Sequence, residues 1–200
     1  YGEPSGAFLF GTLDQHEVIF LARHGYGHTI PPHEVNYRAN IWALKEQGAK
    51  QVISVASVGC IRADLSPGDI VVPDQILDYT HGRAFTYFEG HEQMVTHIDF
   101  TFPYDQKLRL KILEAARNAN EECFDGGTYA AIQGPRLETV AEINRYERDG
   151  ADMVGMTGMP EAALARELGL AYAAIAVVVN HAAGRGSSKD GVRIETVSTV

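Results

Sequence analysis

Apolar residues along this chain follow two rhythms, one of helical spacing and one alternating, and the two take turns. Across residues 36–47, Tyr37, Ala39, Ile41, Trp42, Ala43 and Leu44 form an inner stripe with Lys45 and Glu46 outside it. Gly48 supplies a left-handed stop, so a helix is predicted. A strand is predicted over 51–56. Residues 70–72 and 75–77 read as one further strand divided by Pro73, which places that strand at an edge or a bend. A long helix opens at Tyr104 or Asp105 and runs to 122, with Leu108, Ile112 and Ala115 or Ala116 inside. Thr139 and Glu142 form a capping-box pair ahead of Val140, Ile143 and Tyr146, and Gly150 ends that helix. Pro160 suits a first helical position before 161–168, with Gly169 as the stop. Residues 153–155 and 173–179 are the strands that follow these two helices. Near the start, 8–10 and 18–22 flank a Gly/Asp turn and read as a hairpin.

A unit of helix, glycine and strand therefore occurs three times, closing on Val52, Met153 and Tyr172. With a strand as apolar as 173–179, this pattern predicts an α/β fold, a central sheet flanked by helices on both faces. In such sheets ligands bind beyond the strand ends. Two hundred residues with 45% hydrophobic composition suit one domain over 1–200. The chain opens on Tyr1, and 193–200 reads as ending without a terminal element, so parts missing at both ends are expected.

Charge narrows the partners. The net charge of -9 disfavours nucleic acid, because Lys and Arg occur singly and the closest basic cluster, 185–189, lies in a Gly/Ser-rich stretch that reads as a mobile loop. Apolar runs are too short to span a bilayer, which with the absence of a leader makes the cytoplasm the default location. Cys60 and Cys123 read as free thiols. His24, His28 and His33 have a spacing compatible with a metal, but their only nearby carboxylate is Glu34 and the loop is proline-rich, so no metal is expected.

Polar and glycine-rich clusters sit at the ends of the predicted strands. Arg23 and His24 offer a planar fork of donors and an adjacent imidazole, the equipment of an anion site. Residues 56–59, with Ser57 and Gly59, form a small-residue junction where backbone N–H groups can converge on an anion. Neither a dinucleotide glycine motif nor a Walker loop is present. Gly134 and Pro135 fix a turn that places Gln133 and Leu137. Met156 and Thr157 compose a wall apolar toward a sugar and polar toward an anion, and Glu161 reads as a helix cap or a ribose-side support. Asn180 emerges from an apolar strand with an amide that needs partners, which a planar heterocycle can supply.

Jointly, Arg23-His24-Gly25 with His28-Thr29, the stretch 32–44, Pro67-Gly68-Asp69-Ile70-Val71, Gln133-Gly134-Pro135-Arg136, and Gly155-Met156-Thr157 with Pro160-Glu161 resemble the trimeric purine nucleoside phosphorylase and methylthioadenosine phosphorylase family. The resemblance spans almost the whole chain. It implies a nucleoside phosphorylase-like fold with a mixed sheet, a homotrimer, inorganic phosphate as co-substrate and no metal or organic cofactor. It further implies that Arg23, His24, Ser57 and Thr157 hold phosphate, Met156 packs on the ribose, Leu137 packs on the base, Asn180 reads the purine edge and His97 reaches a neighbouring subunit's pocket. A short glycine-rich phosphate loop and a closing C-terminal helix of the family have no counterpart in these residues.

Where aminopurine enzymes of that family place aspartates, this chain has Asn180 and Ala182. An amide donates to a 6-oxo group and accepts from protonated N7, whereas an ionised aspartate cannot donate. The expectation is therefore a 6-oxopurine base, to which the overall resemblance alone adds a 5'-methylthio group, giving phosphorolysis of a 5'-methylthio-6-oxopurine nucleoside. Phosphate held by Arg23, Ser57 and Thr157 attacks an oxocarbenium-like centre with inversion while Asn180 stabilises the leaving purine. Methylthioadenosine cleavage, general inosine or guanosine cleavage, and a non-catalytic nucleoside-binding module are the alternatives.

Overall fold

The computed structural model describes residues 1–91 and 94–193. Strands β1 (Leu9–Leu13) and β2 (His16–Phe20) form an antiparallel hairpin around Asp14 and Gln15, both at positive φ as a tight two-residue turn requires. Helix α1 (Tyr37–Glu46) starts where the Asn36 side chain accepts from the Ala39 N–H, and Gly48 at φ +88 lies just past its end. There follow β3 (Gln51–Cys60), β4 (Ile70–Val72), β5 (Gln75–Asp78), α2 (Gln106–Asn118), β6 (Phe124–Asp125), β7 (Thr128–Ala131), α3 (Val140–Arg148), β8 (Met153–Gly155), α4 (Glu161–Glu167) and β9 (Ala171–His181).

Seven strands make one sheet in the order β5-β7-β8-β3-β9-β4-β6. It is mixed: β3 and β9 run parallel along their length, whereas β8 on β3 and β4 on β9 are antiparallel. The alternation of β9 explains the layers. Ala174, Ala176 and Val178 face the large core shared with Ile41 of α1 and Leu164 of α4, while Ala173 faces Leu108, Ile112 and Leu113 of α2. In β7, Tyr129 and Ala131 join the large core, and Ala130 meets Ile143 and Tyr146 of α3. Helices thus cover both faces.

Several boundaries differ from expectation. Residues 70–78 are not one bent edge strand: β4 and β5 lie toward opposite ends of the sheet, and β6 and β7 divide in the same way, with β6 on β4 and β7 on β5 in parallel. Pro73-Asp74 and Gly126-Gly127 are the crossing points, linked where Asp74 N–H donates to the Gly127 carbonyl at 3.1 Å, and two adjacent chain segments bending together curl the sheet. Helix α2 stops at Asn118 rather than 122, because Asn120 at φ 56 reverses the chain and lets Glu121 N–H close on Ala116. Pro160 occupies the cap position of α4, one residue before the helix. Residues 185–189 hold a 3-10 turn with Ser188 buried, and Arg185 donates to Asn144 and Glu147, so the stretch is docked rather than free. No helix among the described residues is long and apolar enough to cross a membrane. Apart from Arg193, the final stretch expected to lack a terminal element lies outside the described residues.

Candidate active site

The residues just after β2 cross toward β3 and bring Arg23 under the sheet. Its Nη2 donates to Ser54 Oγ at 3.0 Å and to the Val55 carbonyl at 3.1 Å, and its Nε lies 3.1 Å from Glu161 Oε2. Both side chains of the pair are nearly buried, at 13% and 7% exposure. Burial works against the charge of Arg23, but Glu161, with the Tyr172, Tyr37 and Tyr129 phenols, outweighs it and holds the pKa above the ordinary guanidinium value. Tyr172 Oη completes the support by donating to Glu161 Oε1 at 2.8 Å. Glu161 is therefore neither a helix cap nor a free ribose ligand: it is the buried countercharge that orients Arg23. Nη1 of Arg23 donates to no partner among the described residues, which leaves it open to an anion.

His24 Nδ1 lies 2.8 Å from the Ile30 carbonyl, so that nitrogen carries the proton and donates. Its ring stacks on His28 at 4.7 Å between centroids. Burial, with lesser contributions from the Arg23 and His28 charges, lowers its pKa below the usual 6.5. The neutral ring then presents Nε2 as an acceptor, so the donor role expected of His24 toward phosphate requires the imidazolium.

Thr157 is placed by close packing behind it. Its N–H donates to Tyr129 Oη at 3.3 Å, and burial keeps that phenol neutral by raising its pKa. Tyr129 fits only because position 155 is glycine: a Cβ there would sit 2.0 Å from the phenol oxygen. Asn180 lies inside β9 rather than beyond its end, opposite Gly59 and next to the register shift between Val58 and Gly59. One amide hydrogen of Asn180 goes to the His181 carbonyl at 2.7 Å, and among the described residues the second hydrogen and Oδ1 have no partner. Ser57 likewise sits within β3, which continues to Cys60, and not at a strand-to-loop junction.

These side chains share one open groove of about 1710 Å³, lined by Arg23, His24, Ser57, Leu137, Met156, Thr157, Glu161 and Asn180. The lining thus combines the charged and polar groups of Arg23, His24, Ser57 and Thr157 with the apolar side chains of Leu137 and Met156 and the amide of Asn180. His97 is not among the lining residues and is exposed. Among the described residues no group of His, Cys, Asp and Glu could hold a metal. Cys60 and Cys123 are free thiols.

Two contributors escape sequence reading. Tyr129 is one of several apolar-strand aromatics, and nothing local marks it as the prop behind Thr157. Glu138 follows Leu137 directly and lines the same groove, and burial raises its carboxyl pKa above the ordinary value. An acidic residue three positions after Pro135 of the Gly-Pro turn was the available signal.

Comparison with known proteins places these features in a family. Residues 1–198 match the family model described as the phosphorylase superfamily. A probable S-methyl-5'-thioinosine phosphorylase of Pseudomonas syringae pv. tomato is 54% identical over 188 residues, covering 94% of this chain and 76% of the relative. A 6-oxopurine nucleoside phosphorylase of Pyrococcus furiosus is 47% identical over 94% of this chain and 72% of its own length. The methylthioadenosine phosphorylase of Schistosoma mansoni in complex with adenine superposes with a TM-score of 0.93 at 35% identity, covering 98% of this chain and 74% of that one.

Proposed function

The chain belongs to the phosphorylase superfamily and is an enzyme of the pentosyltransferase class with inorganic phosphate as co-substrate; from that premise we propose that residues 1–200 act as one domain that phosphorolyses a 5'-methylthiopurine nucleoside, with a 6-oxopurine as the base. The observation that carries the reading is the single groove shared by Arg23, Ser57, Thr157, Leu137, Met156 and Asn180. Phosphate is held by Arg23, Ser57 and Thr157, the sugar lies on Met156, and the base lies on Leu137 with its edge at Asn180. A phosphate oxygen attacks the anomeric carbon on one face as the bond to purine N9 breaks, the electron pair leaving with the base. The free N–H of Asn180 donates to O6 and stabilises the charge departing with the base, and once water in the open groove has protonated N7, Asn180 Oδ1 accepts from the N7–H.

Base preference rests on edge chemistry. A 6-oxopurine carries N1–H beside O6, whereas adenine presents a bare N1 lone pair. Glu138 in its ionised form accepts only, so it suits N1–H and opposes the adenine edge. A mismatched buried pair costs about 1–3 kcal/mol, roughly ten- to a hundredfold in rate. The likenesses to the P. syringae and P. furiosus proteins support this side. Methylthioadenosine is the second reading, favoured by the close superposition on the schistosome enzyme. Rates of base release from methylthioinosine, methylthioadenosine and inosine, each with and without phosphate, decide among them. Phosphate-independent release, or faster turnover of the 6-amino substrate, overturns the main reading.

We further propose a homotrimer in which His97 serves a neighbouring subunit's groove. Its exposure outside its own groove, two and three residues from the exposed Val95 and Met94, supports that reading.

A further inference from the structure

Arg83 lies outside the groove and is 9% exposed, with no carboxylate partner among the described residues. Every one of its guanidinium nitrogens is nevertheless in use. Nε donates to Gln133 Oε1 at 3.2 Å, and Nη2 donates to the carbonyls of Ile132 at 3.3 Å and Gln133 at 2.9 Å. Nη1 reaches the Met156 carbonyl at 2.9 Å, the Met159 carbonyl at 2.6 Å and Tyr37 Oη at 3.2 Å. These acceptors belong to three separate segments: the turn after β7 that leads to Leu137, the loop after β8 that carries Met156 and Thr157, and the start of α1. The two loops also press together directly, since a Cβ on Gly134 would lie 2.4 Å from Met156 Sδ.

We infer that Arg83 is a positioning residue: it clamps the Met156–Thr157 wall to the Leu137 turn and so fixes the distance between the phosphate and base positions. The inference rests on the groove's proposed role as a phosphorolysis site. A planar fork is required for this, because a guanidinium bonds in several fixed in-plane directions at once while an ammonium offers a single point of donation. Carbonyl oxygens concentrate on this cation because the two loops leave regular structure here and their backbone acceptors have lost strand partners. An error of about 1 Å between the two walls costs on the order of a hundredfold when two reactants must be held in line.

The test uses the full-length protein with Arg83→Lys and Arg83→Gln. Steady-state rates are measured against phosphate and against methylthioinosine, and calorimetry gives the dissociation constant of inorganic phosphate alone. Both variants are expected to raise the KM and the dissociation constant for phosphate by about tenfold or more and to lower kcat, with Lys no better than Gln despite its charge. A residue that merely holds the fold together lowers the active fraction, and hence apparent kcat, at unchanged KM and unchanged phosphate affinity; that result overturns the inference. So does full rescue by Lys, which makes charge the operative property. Where neither variant yields folded protein, Gln133→Leu removes one acceptor and retains the guanidinium. It is expected to raise phosphate KM about threefold, the scale of one hydrogen bond, and an unchanged KM overturns the inference. If the wild-type protein binds phosphate but releases no base, the phosphorolysis reading falls alone and the phosphate dissociation constants decide on Arg83. If it binds no phosphate, both fall.

Discussion

At the residue scale, two of the groove's polar residues rest on buried partners: Arg23 on Glu161, and Thr157 on Tyr129. Arg23 depends on Glu161, and Glu161 on Tyr172. Glu161→Gln keeps the shape but leaves the guanidinium without a countercharge, which is expected to destabilise the free protein by about 1–3 kcal/mol. A bound phosphate then supplies the missing charge, so added phosphate raises the Tm of the variant more than that of wild type. Thermal melts with and without phosphate check this, and equal shifts in both proteins contradict it. Asn180→Asp exchanges an amide donor for an acceptor and is expected to raise the ratio of 6-aminopurine to 6-oxopurine turnover by about tenfold. Steady-state rates on the paired nucleosides measure that ratio; an unchanged value removes Asn180 from base reading. Arg23 and Asn180 were legible as candidates because their types are costly to bury without a ligand or partner, and both line the groove. Glu161 was visible only as a charge at a helix start, and its real partner is remote in sequence, so no local pattern could reveal the pairing.

At the element scale, stability enters through local devices that carry site loops. Helix α3 follows the turn bearing Leu137 and Glu138, and its start is a reciprocal cap: Glu142 N–H donates to Thr139 Oγ1 at 3.1 Å while Thr139 N–H donates to Glu142 Oε2 at 2.7 Å. Thr139→Ala is expected to cost about 1 kcal/mol, read as a lower urea midpoint at unchanged m-value. The Arg136 bonds and the Thr139 N–H depress the Glu142 pKa to about 2 from an ordinary 4.5. A depressed carboxyl contributes stability that is complete above its unfolded pKa and is lost as pH falls through the folded one. That contribution therefore fades between about pH 4.5 and 2 and is absent in Glu142→Gln, which urea midpoints at neutral and acid pH compare. The ends of α1 and α3 were readable because caps and glycine stops are local, whereas the end of α2 was not, since no glycine marks the reversal at Asn120. Strand ends were not: β3 and β9 extend past their apolar runs into Ser57 and Asn180, held there by each other's ladder rather than by their own residues.

At the scale of the whole molecule, the assembly itself carries a prediction. If the proposed homotrimer forms, the protein sediments at three times the chain mass, and His97→Ala is expected to lower kcat/KM for the methylthionucleoside with little effect on phosphate KM. A monomer of full activity removes His97 from any neighbour's groove. By itself the sequence determined the four helices, the faces they turn inward and the apolar cores of β3, β8 and β9, because periodicity, caps and turns act over a few residues. Tertiary structure decided that residues 70–78 split across a curling sheet, that Glu161 neutralises Arg23, and that Arg83 binds carbonyls from separate loops. Those outcomes depend on which distant segments meet, and that is set by burying the core faces of the sheet and helices together while buried charges such as Arg23 and Arg83 find partners.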